Sequence, residues 1–288
     1  MNMVFKKIKQ YADLVMFSHT LFSMPFAMVS MLWAANGLPK MRVFFWIIIA
    51  LIGARTGANA LNRLVDKDID AKNPRTAGRH LPLGLVKSSE VLLIVVFSFA
   101  LLVLAAYELN PLCLKLSPLA LFLFIIYSYT KRFTWACHII LGIACGGAPV
   151  GAWIAVTGKI GWPSLVLGAV VTLWVAGFDI IYGTQDYDFD KNNGLFSIPV
   201  KFGIKNALLI STFFHVIALL LLLYLYFYMK MGWLYLMGLI IIGYLLYKEH
   251  SIVKPDNLKH VTIASYDINQ IVSVLFFIFT TLDSFLVR

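Results

Sequence analysis

The chain has 288 residues, 60% hydrophobic and 13% charged, with a formal net charge of +10 and a mean hydropathy of +0.83. Such a composition excludes an ordinary soluble globular domain, and several uncharged stretches approach the roughly 20 residues that a helix needs to cross a bilayer, so helices rather than a barrel are expected. The basic residues are scattered among the connections between apolar stretches instead of forming one polar domain, which argues for membrane orientation and against a nucleic-acid partner.

The N-terminal MNMVFKKIKQYADL places its basic residues first and has no small-residue cleavage site behind a short apolar core, so no removable signal peptide is expected. From there the hydropathy pattern predicts nine spans, at about 14–36, 42–62, 89–107, 112–129, 134–156, 163–184, 204–228, 231–247 and 267–286. The predicted fold class is all-α, a polytopic helical membrane bundle forming a single domain over residues 1–288. With the N-terminus in the cytoplasm, 17 of the 24 basic residues fall on the cytoplasmic side, as the positive-inside rule favours. A multi-pass protein of the cell (inner) membrane is expected.

Span 2 ends in the run NRLVDKDID, Asn62 to Asp70. If the helix continues, Asn62, Asp66 and Asp70 share one face, about 40° apart per step. Arg55 lies seven residues earlier on that face, about 10 Å deeper by helical rise. A buried Arg needs an anion, and two readings stay open: a structural pairing with Asp179 or snorkelling, and the binding of an acidic substrate group.

After span 6 the pattern returns, with Asp186, Asp188 and Asp190 echoing Asp66, Asp68 and Asp70, each run followed by Lys and Asn. Asp179, Tyr182, Asp186 and Asp190 are three, four and four residues apart, so a continuing helix would put them on one stripe while Asp188 points elsewhere. The echo suggests two weakly similar halves, about 1–130 and 131–250, followed by a last helix, with chance as a fair rival.

One acidic cluster could be no more than the solvated end of a span. Two with equal spacing at equivalent span ends, one carrying Asp179 inside the apolar run, point to binding. Carboxylates at helical spacing suit magnesium, which takes one or two of them together with phosphate oxygens and waters. The ion would then be shared with a soluble diphosphate, the two clusters forming two walls of one site. A calcium loop does not fit, because its sixth position would be Ala71 or Lys191 rather than Gly. Arg75, Arg79 and Lys131 lie at the predicted cytoplasmic mouth, where they suit phosphate oxygens or simply mark orientation. The six His show no metal-ligand spacing, and Cys113, Cys137 and Cys145 suit packing.

At these residues the chain resembles the UbiA superfamily of intramembrane prenyltransferases. Its first signature is matched by Asn62, Asp66 and Asp70 and by the following RTAGRHLPLG, and its second by Asp179, Tyr182, Asp186, Asp190, Gly194, Ser197, Phe202 and Gly203. The Lys131-Arg132 pair before span 5 fits as well. Arg63 and Phe196 depart from the commoner pattern, and Asn62-Arg63 looks like the branch labelled 4-hydroxybenzoate polyprenyltransferase-like, some of whose members use a dihydroxynaphthoate in menaquinone synthesis.

The resemblance implies a bundle around a central cavity open to the cytoplasm and to membrane lipid. It implies Mg2+-dependent transfer of a prenyl group from an isoprenoid diphosphate to a small aromatic acid acceptor in ubiquinone or menaquinone biosynthesis. Asp66, Asp70, Asp186 and Asp190 would be the catalytic carboxylates and, with Asn62, the metal ligands. Arg75, Arg79, Lys131 and Tyr182 would hold the diphosphate, and Arg55 and Asp179 the acceptor. The rival from another class is a cation-coupled membrane transporter, which would need no diphosphate.

Overall fold

A computed structural model describes Lys7, Gln10, Tyr11, Leu14 and residues 20–287. His19 and the basic residues Lys6 and Lys9 of the predicted cytoplasmic N-terminus lie outside the described residues. The described chain is helical and holds no β-strand, with only an isolated bridge between Lys254 and Asn257. In chain order the helices are α1 (Thr20–Ala35), α2 (Met41–Val65), α3 (Lys67–Lys72), α4 (Ser88–Leu109), α5 (Pro111–Tyr129), α6 (Cys137–Thr157), α7 (Trp162–Gly183), α8 (Tyr187–Asn192), α9 (Ile198–Tyr228), α10 (Trp233–Ile252) and α11 (Asn269–Leu286). A π-helical turn, Ile263–Ile268, leads into α11.

Among the described residues, seven helical segments are long and apolar enough to cross a membrane: those beginning at Met41, Ser88, Pro111, Cys137, Trp162, Ile198 and Ile263. The two remaining expected spans are α1, whose apolar stretch Phe22–Ala35 is short and whose predicted start at 14 reaches into residues outside the described set, and α10. In α10 the last turns bear Lys248, Glu249 and His250, which lowers its mean hydropathy. The exposed apolar side chains, among them Leu93, Phe97, Phe213, Leu220 and Ile240, are those that a lipid environment would cover.

The chain forms two compact units, one of residues 1–20 and 41–129 and one of residues 21–40 and 130–288. In the first, small residues let α2 and α4 approach closely: a Cβ on Gly53 would strike the Ser98 carbonyl, and one on Gly57 the Phe99 ring. Leu14, Ala60, Leu81, Val86, Val91 and Val95 fill the core beneath the loop that joins α3 to α4.

In the second unit α7 is the central helix, buried along most of its length. It is packed by α6 through Gly142, Gly146 and Gly168, where backbone meets backbone. On its α9 side, the Ser211 hydroxyl donates to the Gly177 carbonyl at 2.7 Å. An aromatic cluster of Phe22, Phe26, Trp174, Phe178 and Phe276 ties α1 and α11 to it. The π-helical turn frees backbone carbonyls, and Asn269 satisfies two of them, donating to Ala264 O at 2.9 Å and Ser265 O at 3.4 Å while accepting from Trp174 Nε1 at 2.6 Å.

Candidate active site

Neither acidic stripe is a simple continuation of its helix. α2 ends at Val65, and Asp66 adopts φ −90°, ψ 6° before the six-residue α3. α7 ends at Gly183, passes through a 3-10 turn (Thr184–Asp186), and Asp186 adopts φ −97°, ψ 6° before the six-residue α8. The expected spacing survives the first break because the backbone bonding does: the Asp66 amide donates to Asn62 O at 2.9 Å and the Asp70 amide to Asp66 O at 2.7 Å. The two acidic segments therefore share the same local geometry, a long helix, a bridge-region Asp and a short helix whose fourth residue is an inward Asp.

In the first unit Asn62 Nδ2 donates to Asp66 Oδ2 at 2.9 Å. Asp70, only 6% exposed, has both carboxylate oxygens 2.6 Å from Arg79 Nη1. Arg79 is brought there by the turn-rich RTAGRHLPLG loop, which folds back because the Thr76 hydroxyl donates to Asp70 O at 3.1 Å and the Asn73 side chain accepts from the Arg75 amide at 3.0 Å. Arg75 itself is exposed, and Arg55 is half-buried on α2.

In the second unit Asp186 and Asp190 are 4% and 1% exposed. Lys131 Nζ donates to Asp190 Oδ2 at 3.0 Å. The Lys131 carbonyl in turn accepts from the Phe196 amide at 2.8 Å, so position 196 works through its backbone while its side chain is exposed. Tyr182 stacks edge-on against Tyr266 of the π-helical turn, with ring centroids 4.7 Å apart. Asp68 and Asp188 are exposed and lie off both stripes.

Asp179 is held by His138, whose Nδ1 lies 2.7 Å from Asp179 Oδ2, a partner that the sequence did not suggest. Sequence reasoning passed over His138 because its partner is 41 residues away, although its four-residue spacing from Gly142 and Gly146 was visible. It also passed over Glu249, which is fully buried beside His215 at 3.8 Å, next to a bonded chain of His215, His250 and Thr212.

Among the described residues no group of three His, Cys, Asp or Glu is placed to hold a metal ion by itself. Within each unit the side chains suit magnesium of the shared kind: Asn62, Asp66 and Asp70 in the first and Asp186 and Asp190 in the second offer oxygens to an ion that completes its shell with phosphate and water. Each unit keeps a buried carboxylate against a cation of its own, Asp70 against Arg79 in the first and Asp190 against Lys131 in the second.

Two such acid-and-base segments at the ends of spans define a polytopic helical membrane protein with a charged site at its membrane boundary. Residues 23–278 match the UbiA prenyltransferase family. The 4-hydroxybenzoate octaprenyltransferase of Shewanella pealeana is 32% identical over 230 residues, 78% of each chain. That of Vibrio campbellii is 30% identical over 223 residues, covering 76% of this chain and 77% of the relative. Among solved structures, a UbiA homolog from Aeropyrum pernix K1 is 31% identical with a TM-score of 0.84, over 92% of this chain and 98% of that one. A UbiA homolog from Archaeoglobus fulgidus bound to GPP and Mg2+ shares the fold at 19% identity and a TM-score of 0.71, over 94% and 98% of the two chains. The chain belongs to the UbiA prenyltransferase family. It is an integral, multi-pass membrane protein and an aromatic prenyltransferase.

Proposed function

We propose that the chain transfers a prenyl group from an isoprenoid diphosphate to the ring of 4-hydroxybenzoate, with magnesium, as a step of quinone biosynthesis. The observation that carries this reading is the repeated acidic segment, each copy ending in a buried Asp against its own cation, Arg79 on Asp70 and Lys131 on Asp190. The names of the relatives support the acceptor, and the diphosphate and magnesium of the Archaeoglobus homolog support the donor.

In this reading Asn62, Asp66, Asp70, Asp186 and Asp190 hold magnesium, which when bound would offset the negative charge of the leaving diphosphate. Arg79 and Lys131, already seated on those carboxylates, neutralise phosphate oxygens brought to them, with Arg75 and Tyr182 as further diphosphate contacts. The allylic C–O bond breaks with its electron pair going to the diphosphate, and a ring carbon of the acceptor bonds to the allylic cation and then loses its proton to the released diphosphate. The reaction needs water kept from the cation, which water would quench. Arg55 takes the acceptor carboxylate, and Asp179 accepts a hydrogen bond from its ring hydroxyl.

We place both acidic segments at the cytoplasmic face of the inner membrane, where soluble diphosphates and magnesium are found, and read residues 1–288 as a single catalytic domain of two related halves. A dihydroxynaphthoate is the second acceptor considered, because Arg63 and Phe196 depart from the commoner family pattern. The test is the product mass from membranes given magnesium, several prenyl diphosphates, and either 4-hydroxybenzoate or a dihydroxynaphthoate. A prenylated hydroxybenzoate with one pyrophosphate released per product is expected; prenylated naphthoate alone would move the assignment to the second acceptor, and no pyrophosphate would defeat it.

A further inference from the structure

His138 and Asp179 meet because two helices are allowed to touch. His138, Gly142 and Gly146 recur every four residues along one face of α6. Opposite them on α7 stand Gly168 and Thr172: a Cβ on Gly142 would run into the Thr172 backbone, and one on Gly146 into the Thr172 hydroxyl and the Gly168 carbonyl. This antiparallel register, 146 with 168 and 142 with 172, carries position 138 to the turn of α7 that ends in Asp179. With backbones in contact, the imidazole spans the remaining gap and its Nδ1 comes within 2.7 Å of Asp179 Oδ2.

The ring is fixed on its other side as well. A Cβ on Gly183 would strike His138 Cε1, so the glycine makes the seat in which the ring lies, with Pro199 beside it. Nε2 is buried and makes no hydrogen bond. A carboxylate oxygen accepts, so the ring donates from Nδ1. Asp179 is thus gripped through one oxygen by a side chain that is 2% exposed, while its own side chain keeps 25% exposure. That exposure falls on the less buried stripe of α7, which also carries Thr172 and Tyr182.

We propose that His138 is a positioning residue: by holding Asp179 Oδ2 it locks the carboxylate rotamer so that Oδ1 is presented to the hydroxyl of the aromatic acceptor. The inference rests on the reading of Asp179 as acceptor-binding. A carboxylate held in that pose accepts a hydrogen bond from a ring hydroxyl and repels a ring carboxylate, so it selects which end of a hydroxy acid enters first. Freed from His138, Asp179 would sample other rotamers, and the acceptor would lose its fixed register with the donor carbon.

Kinetics of four variants, His138→Ala, His138→Asn, Asp179→Asn and the double variant H138A/D179N, test this with 4-hydroxybenzoate and geranyl diphosphate as substrates. H138A is expected to lower kcat/KM for the hydroxybenzoate about 10- to 100-fold, with the KM for the diphosphate within about two-fold of wild type. H138N should recover most of the loss, because its amide nitrogen overlays Nδ1. In the D179N background H138A should add less than about two-fold, since its target is already disabled. The proposal is overturned if H138A leaves acceptor kinetics unchanged, if its loss multiplies with that of D179N, or if H138A and H138N lose activity and Tm together, which is the mark of a merely structural tie. Wild-type membranes that prenylate no aromatic hydroxy acid would instead sink the reading of the reaction on which the inference rests.

Discussion

The two acidic segments have the same backbone and different counterions. Asp66 and Asp186 take nearly the same φ/ψ, and each opens a six-residue helix whose buried Asp meets a cation. For Asp70 that cation is Arg79, nine residues on in the same loop. For Asp190 it is Lys131, 59 residues earlier and beyond two long helices. The first segment is thus nearly self-contained, whereas the second is charge-balanced only once its unit has folded. Repeated chemistry needs a repeated local geometry, and the source of the balancing charge is free to differ.

The largest expected effect treats the two segments alike. Chelation of divalent ions should abolish transfer, by more than about 10³-fold, and added magnesium should restore it; transfer that persists in chelator would remove the metal from the account. Next come the counterions. Arg79→Ala and Lys131→Ala should each cut kcat/KM about 100-fold, and Lys131→Ala should cost more stability, about 1–3 kcal/mol, because it strands Asp190 and removes a tie between distant parts of its unit. Equal stability losses for the two would erase the distinction between a local and a distant partner.

Smaller effects separate the helix contacts of the two units. Gly142→Ala meets backbone of α7, which cannot step aside, and should cost about 1–3 kcal/mol in thermal unfolding in detergent. Gly57→Ala in the first unit meets the Phe99 ring, a side chain able to shift, and should cost less. The smallest effect is expected at Asp68 and Asp188, which point away from both stripes. Asp68→Asn and Asp188→Asn should leave turnover within about two-fold, and a large loss at either would mean that the stripes are wrongly drawn.

Much of this was legible in the chain itself. Most of the predicted span limits lie within a few residues of the observed helices, because apolar runs ending at Asn62, at Tyr182 or at Tyr228 leave the boundary little choice. The four-residue spacing of Asn62, Asp66 and Asp70 was equally plain. The helix break at Asp66 was not, since no Gly or Pro marks it and the same spacing serves a continuous helix; at the second break Gly183 stands at the end of α7, but the spacing again reads as continuous. The His138 partner of Asp179 was hidden for a different reason. Arg55 was the conspicuous intramembrane charge, while His138 becomes a partner only through the contact of Gly142 and Gly146 with α7, a tertiary fact that periodicity does not carry. The π-helical turn and its Asn269 brace lie in the same class, since they depend on Trp174 far along the chain.

The central claim is that the two acidic segments serve one reaction together. Its most direct test is pyrophosphate release and prenylated product from Asp66→Ala and Asp186→Ala assayed separately, with helicity and Tm confirming that each variant is folded. Both readouts should vanish in both variants, whereas undiminished transfer by either would show that one segment is dispensable and contradict the account.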